Sequence, residues 1–263
     1  MKKSVLKGLA LTLVVILAAV LAACGSSRDH TEIPTVSEGK LTVATNSGYI
    51  PFVYHEGDAL VGIDPAIAAE IADRMGLELV IEDIDFPEIF EGVRSGQYDI
   101  GLAAITITED RAEIVDFSTP YASGRQAVIV PATSPIRNIY DLINGDYTAG
   151  VKTATTGDAF ITADIGEERV VRYMHIEDAI DALVRGEIDA VVYDGQAASE
   201  FISQQEGLVS LQTPYAIEAY AAVVPQSNPA LLEQVNLILG EMTEDGTLQA
   251  IIDEYTARSA AAE

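Results

Sequence analysis

Cysteine is almost absent from this 263-residue chain: Cys24 stands alone, so no intramolecular disulfide can form and the fold must rest on its apolar core. Positive charge is scarce as well. Fifteen Lys and Arg face 41 Asp and Glu, a net charge of −26, and this excludes a nucleic-acid partner, since phosphate binding needs a basic face. Acidity of this kind ordinarily means a solvated surface, and beyond a Debye length of about 8 Å its field at any one site is screened. Long hydrophobic runs are lacking beyond residue 23, so no membrane span is expected there.

The one long apolar run is at the N-terminus. Lys2, Lys3 and Lys7 precede an apolar stretch from Leu9 to Ala23 that is shorter than the ~20 residues of a membrane span, the pattern of a cleaved export signal. The sequence Leu21-Ala22-Ala23-Cys24 resembles the lipobox of bacterial lipoproteins, in which the cysteine takes the lipid and becomes the new N-terminus. An uncleaved anchor helix is the alternative. Residues 25–38 are Gly, Ser, Pro and charge without apolar period, which reads as a tether of roughly 20 Å reach. The expected organisation is therefore a signal at 1–23, a lipid-anchored tether at 24–39 and a folded part from Lys40.

About 220 residues remain by that reading, enough for two lobes of ordinary size. Strand and helix patterns alternate. Leu41–Thr45 reads as a strand; Asp64 and Pro65 are expected to cap a helix in which Ile67, Ile71 and Met75 recur every four residues until Gly76 stops it. Glu78–Ile84 is the next strand. A unit then appears twice: Val93-Arg94-Ser95-Gly96-Gln97-Tyr98-Asp99 leads into a strand at Ile100–Ala103, and Val184-Arg185-Gly186-Glu187-Ile188-Asp189 leads into one at Ala190–Tyr193. The repeat suggests two α/β units of like construction, one per lobe.

In open α/β sheets ligands bind beyond the carboxyl ends of strands. The first unit runs out at Ala104, Thr106 and Arg111, within AAITITEDRAEIVDFSTPY (103–121), and the second at Asp194. An arginine fork donates two parallel hydrogen bonds to a carboxylate, so one lobe offers a cation for a carboxylate and the other an anion for an ammonium. Two crossings, 122–125 and 218–221, each just before an apolar stretch, are expected to join the lobes as a hinge. Lobe 1 then comprises 40–121 and 222–258, and lobe 2 comprises 126–217.

Five phrases in order, TNSGYIPFVY, VGIDPAIAAEIA, IDFPEIFEGVRSGQYDIGLAAITITEDRAEIVDFSTPY, AGVKTATTGDAF and GEIDAVVYDG, mark a likeness that runs from about Leu41 to Tyr255. They resemble the polar amino-acid binding proteins of bacterial ABC importers, in the lipoprotein form. The resemblance implies an α/β, two-lobed periplasmic-binding-protein (flytrap) fold, each lobe a mixed sheet flanked by helices. It implies that Arg111 clamps the ligand's α-carboxylate with the backbone N–H groups of Thr106 and Thr156. Asp194, the Thr106 hydroxyl and the Ala104 carbonyl would hold the α-ammonium. Tyr49 and Phe86 would sandwich the side chain, and Lys152, the one lysine beyond Lys40, would reach its end. The partners implied are an L-amino acid, ABC permease membrane subunits and a membrane met through the lipid on Cys24. A monomer without cofactor or metal, outside the cytoplasmic membrane or in the periplasm, is expected.

Each role has a plainer rival. Arg111 could pair with Glu109 or Glu113 on a surface helix, Asp194 could be only a helix N-cap, Tyr49 and Phe86 could be core, and Lys152 could be solvated. Thr155 and Thr156 could only cap the helix that follows. The sequence also departs from the family pattern. Asn46 stands where binders of glutamine and of cationic side chains often carry Asp, Tyr193 where the glutamine pattern has His, and Ala154 where a glycine is usual. A cationic side chain would meet Lys152 with no acid beside it, which disfavours lysine and arginine. Glutamine is the first expectation and glutamate or another polar amino acid the second. Two further functions stand beside an uptake receptor: a secreted dehydratase on the same fold, with Glu88 and Glu91 as its nearest acids, and a ligand sensor for a signalling partner.

Overall fold

The computed structural model describes residues 33–212 and 215–262; the expected signal and the lipid-bearing Cys24 lie outside them. The first lobe opens with strand β1 (Lys40–Thr45), and a small hairpin of β2 (Tyr54–Glu56) and β3 (Ala59–Val61) leads into helix α1 (Ile63–Met75). Ile67 and Ile71 are fully buried on the inner face of α1, each stabilising the lobe by about 1.5–3 kcal/mol, and Gly76 ends the helix in the left-handed region at φ 70°. Strand β4 (Glu78–Asp83), helix α2 (Phe86–Arg94), the short β5 (Ile100–Gly101), one turn of helix α3 (Glu109–Ala112) and β6 (Asp116–Phe117) follow.

The chain then crosses along β7 (Ala122–Pro131) into the second lobe. There α4 (Ile139–Asn144), β8 (Ala149–Lys152), α5 (Thr156–Ile165), β9 (Val170–Tyr173), α6 (Ile176–Val184), β10 (Ala190–Asp194), α7 (Gly195–Gln204) and β11 (Leu208–Ser210) succeed one another. It returns along β12 (Ala216–Tyr220) to β13 (Val223–Val224), α8 (Pro229–Glu244) and α9 (Thr247–Ala262). Helices α8 and α9 pack on each other and on α1.

Both sheets are mixed. In lobe 1 the order is β4-β1-β5-β13-β6, with β1 parallel to β4 and β5, and β13 antiparallel to β5 and β6. In lobe 2 it is β11-β7-β10-β8-β9, with β8 parallel to its neighbours and β7 antiparallel to β10, β11 and β12. Each sheet has its own core: Ile89, Val93 and Ile105 in the first, Val128, Val151 and Val192 in the second.

The two crossings pair with each other. Ala122 stands opposite Tyr220, Ser123 opposite Ala219, Gly124 opposite Glu218 and Arg125 opposite Ile217. Gly124 is required by contact, since a Cβ there would lie 1.9 Å from the Tyr220 hydroxyl oxygen. The connection is thus a two-stranded antiparallel ribbon, with Tyr220 laid across it.

Three local expectations are corrected. The tether ends before Gly39, because the Val36 N–H donates to Asp99 (2.7 Å) and the Pro34 carbonyl accepts from Asn228 (2.8 Å). Asp64 does not cap α1, whose N-cap is Gly62; its carboxylate turns away to accept from the Ala104 N–H (2.7 Å) and the Tyr121 hydroxyl (2.8 Å). The strand after Asp99 ends at Gly101 rather than Ala103, since the chain bends away and Ala104 takes a left-handed φ of 46°.

Candidate functional site

All ten binding residues read from the sequence, Asn46, Tyr49, Phe86, Ala104, Thr106, Arg111, Lys152, Thr156, Tyr193 and Asp194, line one cleft of about 480 Å³, its open mouth included. Lobe 1 contributes the ends of β1 and β5, the start of α2 and the α3 turn. Lobe 2 contributes the ends of β8 and β10 and the start of α5.

Arg111 is half-buried. Its Nη1 donates to the Thr106 carbonyl (2.8 Å) and its Nη2 to the Ala154 carbonyl (3.1 Å), so it spans both lobes. The guanidinium lies over the rings of Phe90 and Phe86, 5.0 and 5.5 Å from their centroids. Among the described residues no carboxylate forms an ion pair with it, and Glu109 and Glu113 do not bond it. Burial pushes its pKa down to about 10, against a raising influence from Glu218, so it stays charged at neutral pH. An uncompensated cation of this kind favours an anion in the cleft. Phe86 therefore supports Arg111, and the aromatic that it packs against is Phe90 rather than Tyr49.

Asp194 closes β10 and begins α7. Its Oδ1 accepts the Gln196 N–H (2.9 Å), so it is an N-cap, while its Oδ2 accepts the Tyr220 hydroxyl inside the cleft. Tyr49 and Tyr220 share a hydrogen bond between their hydroxyls (3.0 Å). Burial pushes the Asp194 carboxyl up, although bonds from Tyr220, Tyr49 and the Gln196 amide act in the opposite direction. Tyr193 packs on Tyr49 with ring centroids 6.0 Å apart.

Lys152 ends β8 and is buried. Its Nζ donates to Asn46 Oδ1 (2.5 Å), and Asn46 Nδ2 donates to the Ile84 carbonyl (2.7 Å), which fixes the amide with its oxygen toward the lysine. Burial lowers the Lys152 pKa. Asn46 and Lys152 thus meet across the cleft and leave further ammonium protons to point into it. Ala154, in the place of a glycine, adopts a left-handed φ of 62°, and the carbonyl so presented is the one Arg111 uses. Thr155 caps α5 by accepting from the Asp158 N–H (3.3 Å), whereas the Thr156 hydroxyl is turned to Glu218.

Five cleft residues were not among the binding residues read from the sequence: Ala103, Gln126, Thr155, Glu218 and Tyr220. The last two lie in the expected hinge, where their spacing i, i+2 in a strand puts both on one face, a signal that was available. Asp64 was also missed. It is fully buried, holds Ala104 at the cleft wall and ties it to Tyr121 at the start of the ribbon; burial pushes its carboxyl up to about 7. Glu88 and Glu91, the acids nearest to hand for a dehydratase, are exposed and line no part of the cleft; Glu91 pairs with Arg94 (2.7 Å).

Two mixed α/β lobes joined by a paired ribbon, with charged groups of opposite sign converging from both, define a two-lobed solute-binding protein. The chain belongs to the bacterial extracellular solute-binding proteins, family 3, whose model matches residues 41–258. It is similar to the arginine-binding extracellular protein ArtP of Bacillus subtilis, 28% identical over 240 residues, which covers 88% of this chain and 90% of that protein. Among solved structures it is similar to a P235GK mutant of ArgBP from T. maritima (32% identity, TM-score 0.77, covering 83% of this chain and 96% of that one). An ancestral arginine-binding protein bound to glutamine matches with 30% identity and the same TM-score of 0.77, covering 83% and 98%. Among the described residues no helix is long and apolar enough to cross a membrane.

Proposed function

We propose that this protein is the extracytoplasmic receptor of an ABC importer and that it closes on a polar L-amino acid, glutamine first and glutamate or another polar amino acid second. The observation that carries the reading is Arg111: a charged guanidinium held over two aromatic rings and by two carbonyls, with no acid paired to it, in the same cleft as Asp194 of the other lobe. A zwitterion supplies the missing carboxylate to the first and an ammonium to the second. Lys152 and Asn46 set the preference among side chains. The lysine presents donors, so an amide carbonyl or carboxylate is favoured there and a second cation is not.

Residues 40–121 with 222–258 would move as one lobe and 126–217 as the other, about the ribbon of 122–125 and 218–221. Binding then goes into closure, and the closed form docks on permease subunits. A lipid on Cys24 would hold the protein at the outer face of the cytoplasmic membrane or in the periplasm. Membrane fractionation tests the anchor: Cys24→Ser is expected in the soluble fraction, and a processed variant that stayed in the membrane would refute it.

A thermal-shift screen of the purified protein against the twenty amino acids tests the receptor reading, because a ligand bound only by the folded state raises the midpoint by mass action. Glutamine should give the largest rise. No rise with any amino acid would remove the reading, and a preference for arginine would remove the specificity while leaving the receptor.

A further inference from the structure

Glu218 and Gln126 form a buried pair on the lobe 2 side of the ribbon that no role above uses. Both are 4% exposed and both line the cleft. Gln126 Nε2 donates to Glu218 Oε2 (2.8 Å), and the Thr156 hydroxyl donates to Glu218 Oε1. The amide cannot be turned over, since that would put its carbonyl against the carboxylate. Gln126 Oε1 is left facing away from Glu218 and packed against Gly157, where an added Cβ would lie 2.7 Å from it, and among the described residues it is the only buried side-chain nitrogen or oxygen without a hydrogen bond.

Acceptors therefore exceed donors at this spot. A carboxylate has about four lone-pair sites, of which Glu218 uses two, and no cation among the described residues forms an ion pair with it. Asp194 accepts two hydrogen bonds in its turn, from the Gln196 N–H and the Tyr220 hydroxyl. Glu218 lies close enough to influence both Asp194 and Arg111. The pair lines the same cleft as Arg111 and Asp194. What it lacks is a positively charged group with several N–H donors.

We propose that Glu218, held in place by the Gln126 amide, is a second acceptor subsite that binds the α-ammonium of the amino acid together with Asp194, and so makes the cleft select amino acids over their deaminated acids. This rests on the amino-acid reading of the cleft. The rival role is bracing alone, in which Glu218 merely ties the ribbon to α5 through Thr156. The two differ in what they do to a ligand that has no ammonium.

Calorimetry on wild type, Glu218→Gln and Gln126→Met separates them, using L-glutamine and L-arginine, each beside its deaminated counterpart, 4-carbamoylbutanoate and 5-guanidinopentanoate. Each variant should weaken the amino acids by roughly 10- to 100-fold, the loss of a hydrogen bond to a charged group. The deaminated acids should change less than about threefold by the same arithmetic, so that selectivity collapses. Equal losses for both kinds of ligand, or no loss in either variant, would overturn the subsite while leaving the receptor in place. A wild-type protein that bound neither amino acid would take the reading of the cleft and the subsite down together.

Discussion

The two lobes are built alike up to the ends of their central strands and differ beyond them. In lobe 1 Asp99 accepts from the Thr42 N–H (2.7 Å) and the Thr42 hydroxyl (2.6 Å); in lobe 2 Asp189 accepts from the Thr148 N–H (2.8 Å) and hydroxyl (3.1 Å). Gly96 and Gly186 precede them with φ 76° and φ 70°, each ending a helix in the left-handed region. An aspartate after a glycine stop therefore bolts each helix-to-strand connection to the start of the neighbouring parallel strand. Past that bolt the lobes diverge. Lobe 1 bends at Ala104 and ends in a cation, Arg111, whereas lobe 2 runs straight to an anion, Asp194, that also caps the next helix. Shared construction supplies the frame, and the departures at the strand ends supply the chemistry.

The largest expected effect removes the cation of that comparison. Arg111→Ala should abolish amino-acid binding with the fold intact, a loss of about 3–5 kcal/mol or upwards of a hundredfold in affinity, because the bound carboxylate would be buried without its partner. Calorimetry finding the variant within about threefold of wild type would remove Arg111 from the site.

Lobe 1 also holds Asp64, an acid more deeply buried than any in lobe 2 among the described residues. The Asp64 carboxyl is pushed up to about 7 from its ordinary 3.8. Between those values the folded protein holds the proton more tightly than the unfolded chain does, so its contribution is fully present below about pH 4 and is lost as pH rises through 7. At about 1.4 kcal/mol per unit the range is on the order of 4 kcal/mol. Asp64→Asn keeps an acceptor for the Ala104 N–H and cannot ionise. Urea unfolding from pH 4 to 8 should show wild type losing stability relative to this variant, and parallel pH profiles would refute the burial argument.

Lys152→Met tests the chemistry at the end of β8. It should weaken the polar ligand by about 1.5–3 kcal/mol, the range for a hydrogen bond to a charged group, and narrow its advantage over apolar amino acids. Unchanged selectivity in competition binding would mean that the lysine only clasps Asn46.

Much of the frame was legible, and for local reasons. The period of Ile67 and Ile71 with the Gly76 stop gave α1, and the repeated glycine–aspartate phrase marked both bolts. Of the ten cleft residues, Ala104, Thr106, Arg111 and Asp194 came from strand ends, which is where α/β topology brings distant segments together, and the other six from the resemblance to the polar amino-acid binding proteins. What escaped depends on contacts far apart in the chain. Asp64 before Pro65 looks like a cap, and nothing local reveals that its partners are Ala104 and Tyr121. Glu218 and Tyr220 were visible as a crossing but not as cleft wall, because that role exists only once β12 lies along β7.

The smallest expected effect compares the two bolts directly. Asp99 is 2% exposed and accepts three hydrogen bonds, the third from the Val36 N–H, while Asp189 is only partly buried and accepts two, both from Thr148. Replacement by alanine leaves those donors unmatched, and each buried unmatched donor costs about 1–3 kcal/mol, less where water can reach it. Asp99→Ala should therefore destabilise the protein more than Asp189→Ala, by about 1 kcal/mol or more on the same scale. Urea unfolding of both variants measures the difference. Neither variant touches the cleft, so both should keep wild-type amino-acid affinity once folded. If Asp189→Ala proved the more damaging, the bolts would not be equivalent devices, and the likeness of the two lobes would stop at the sequence phrase.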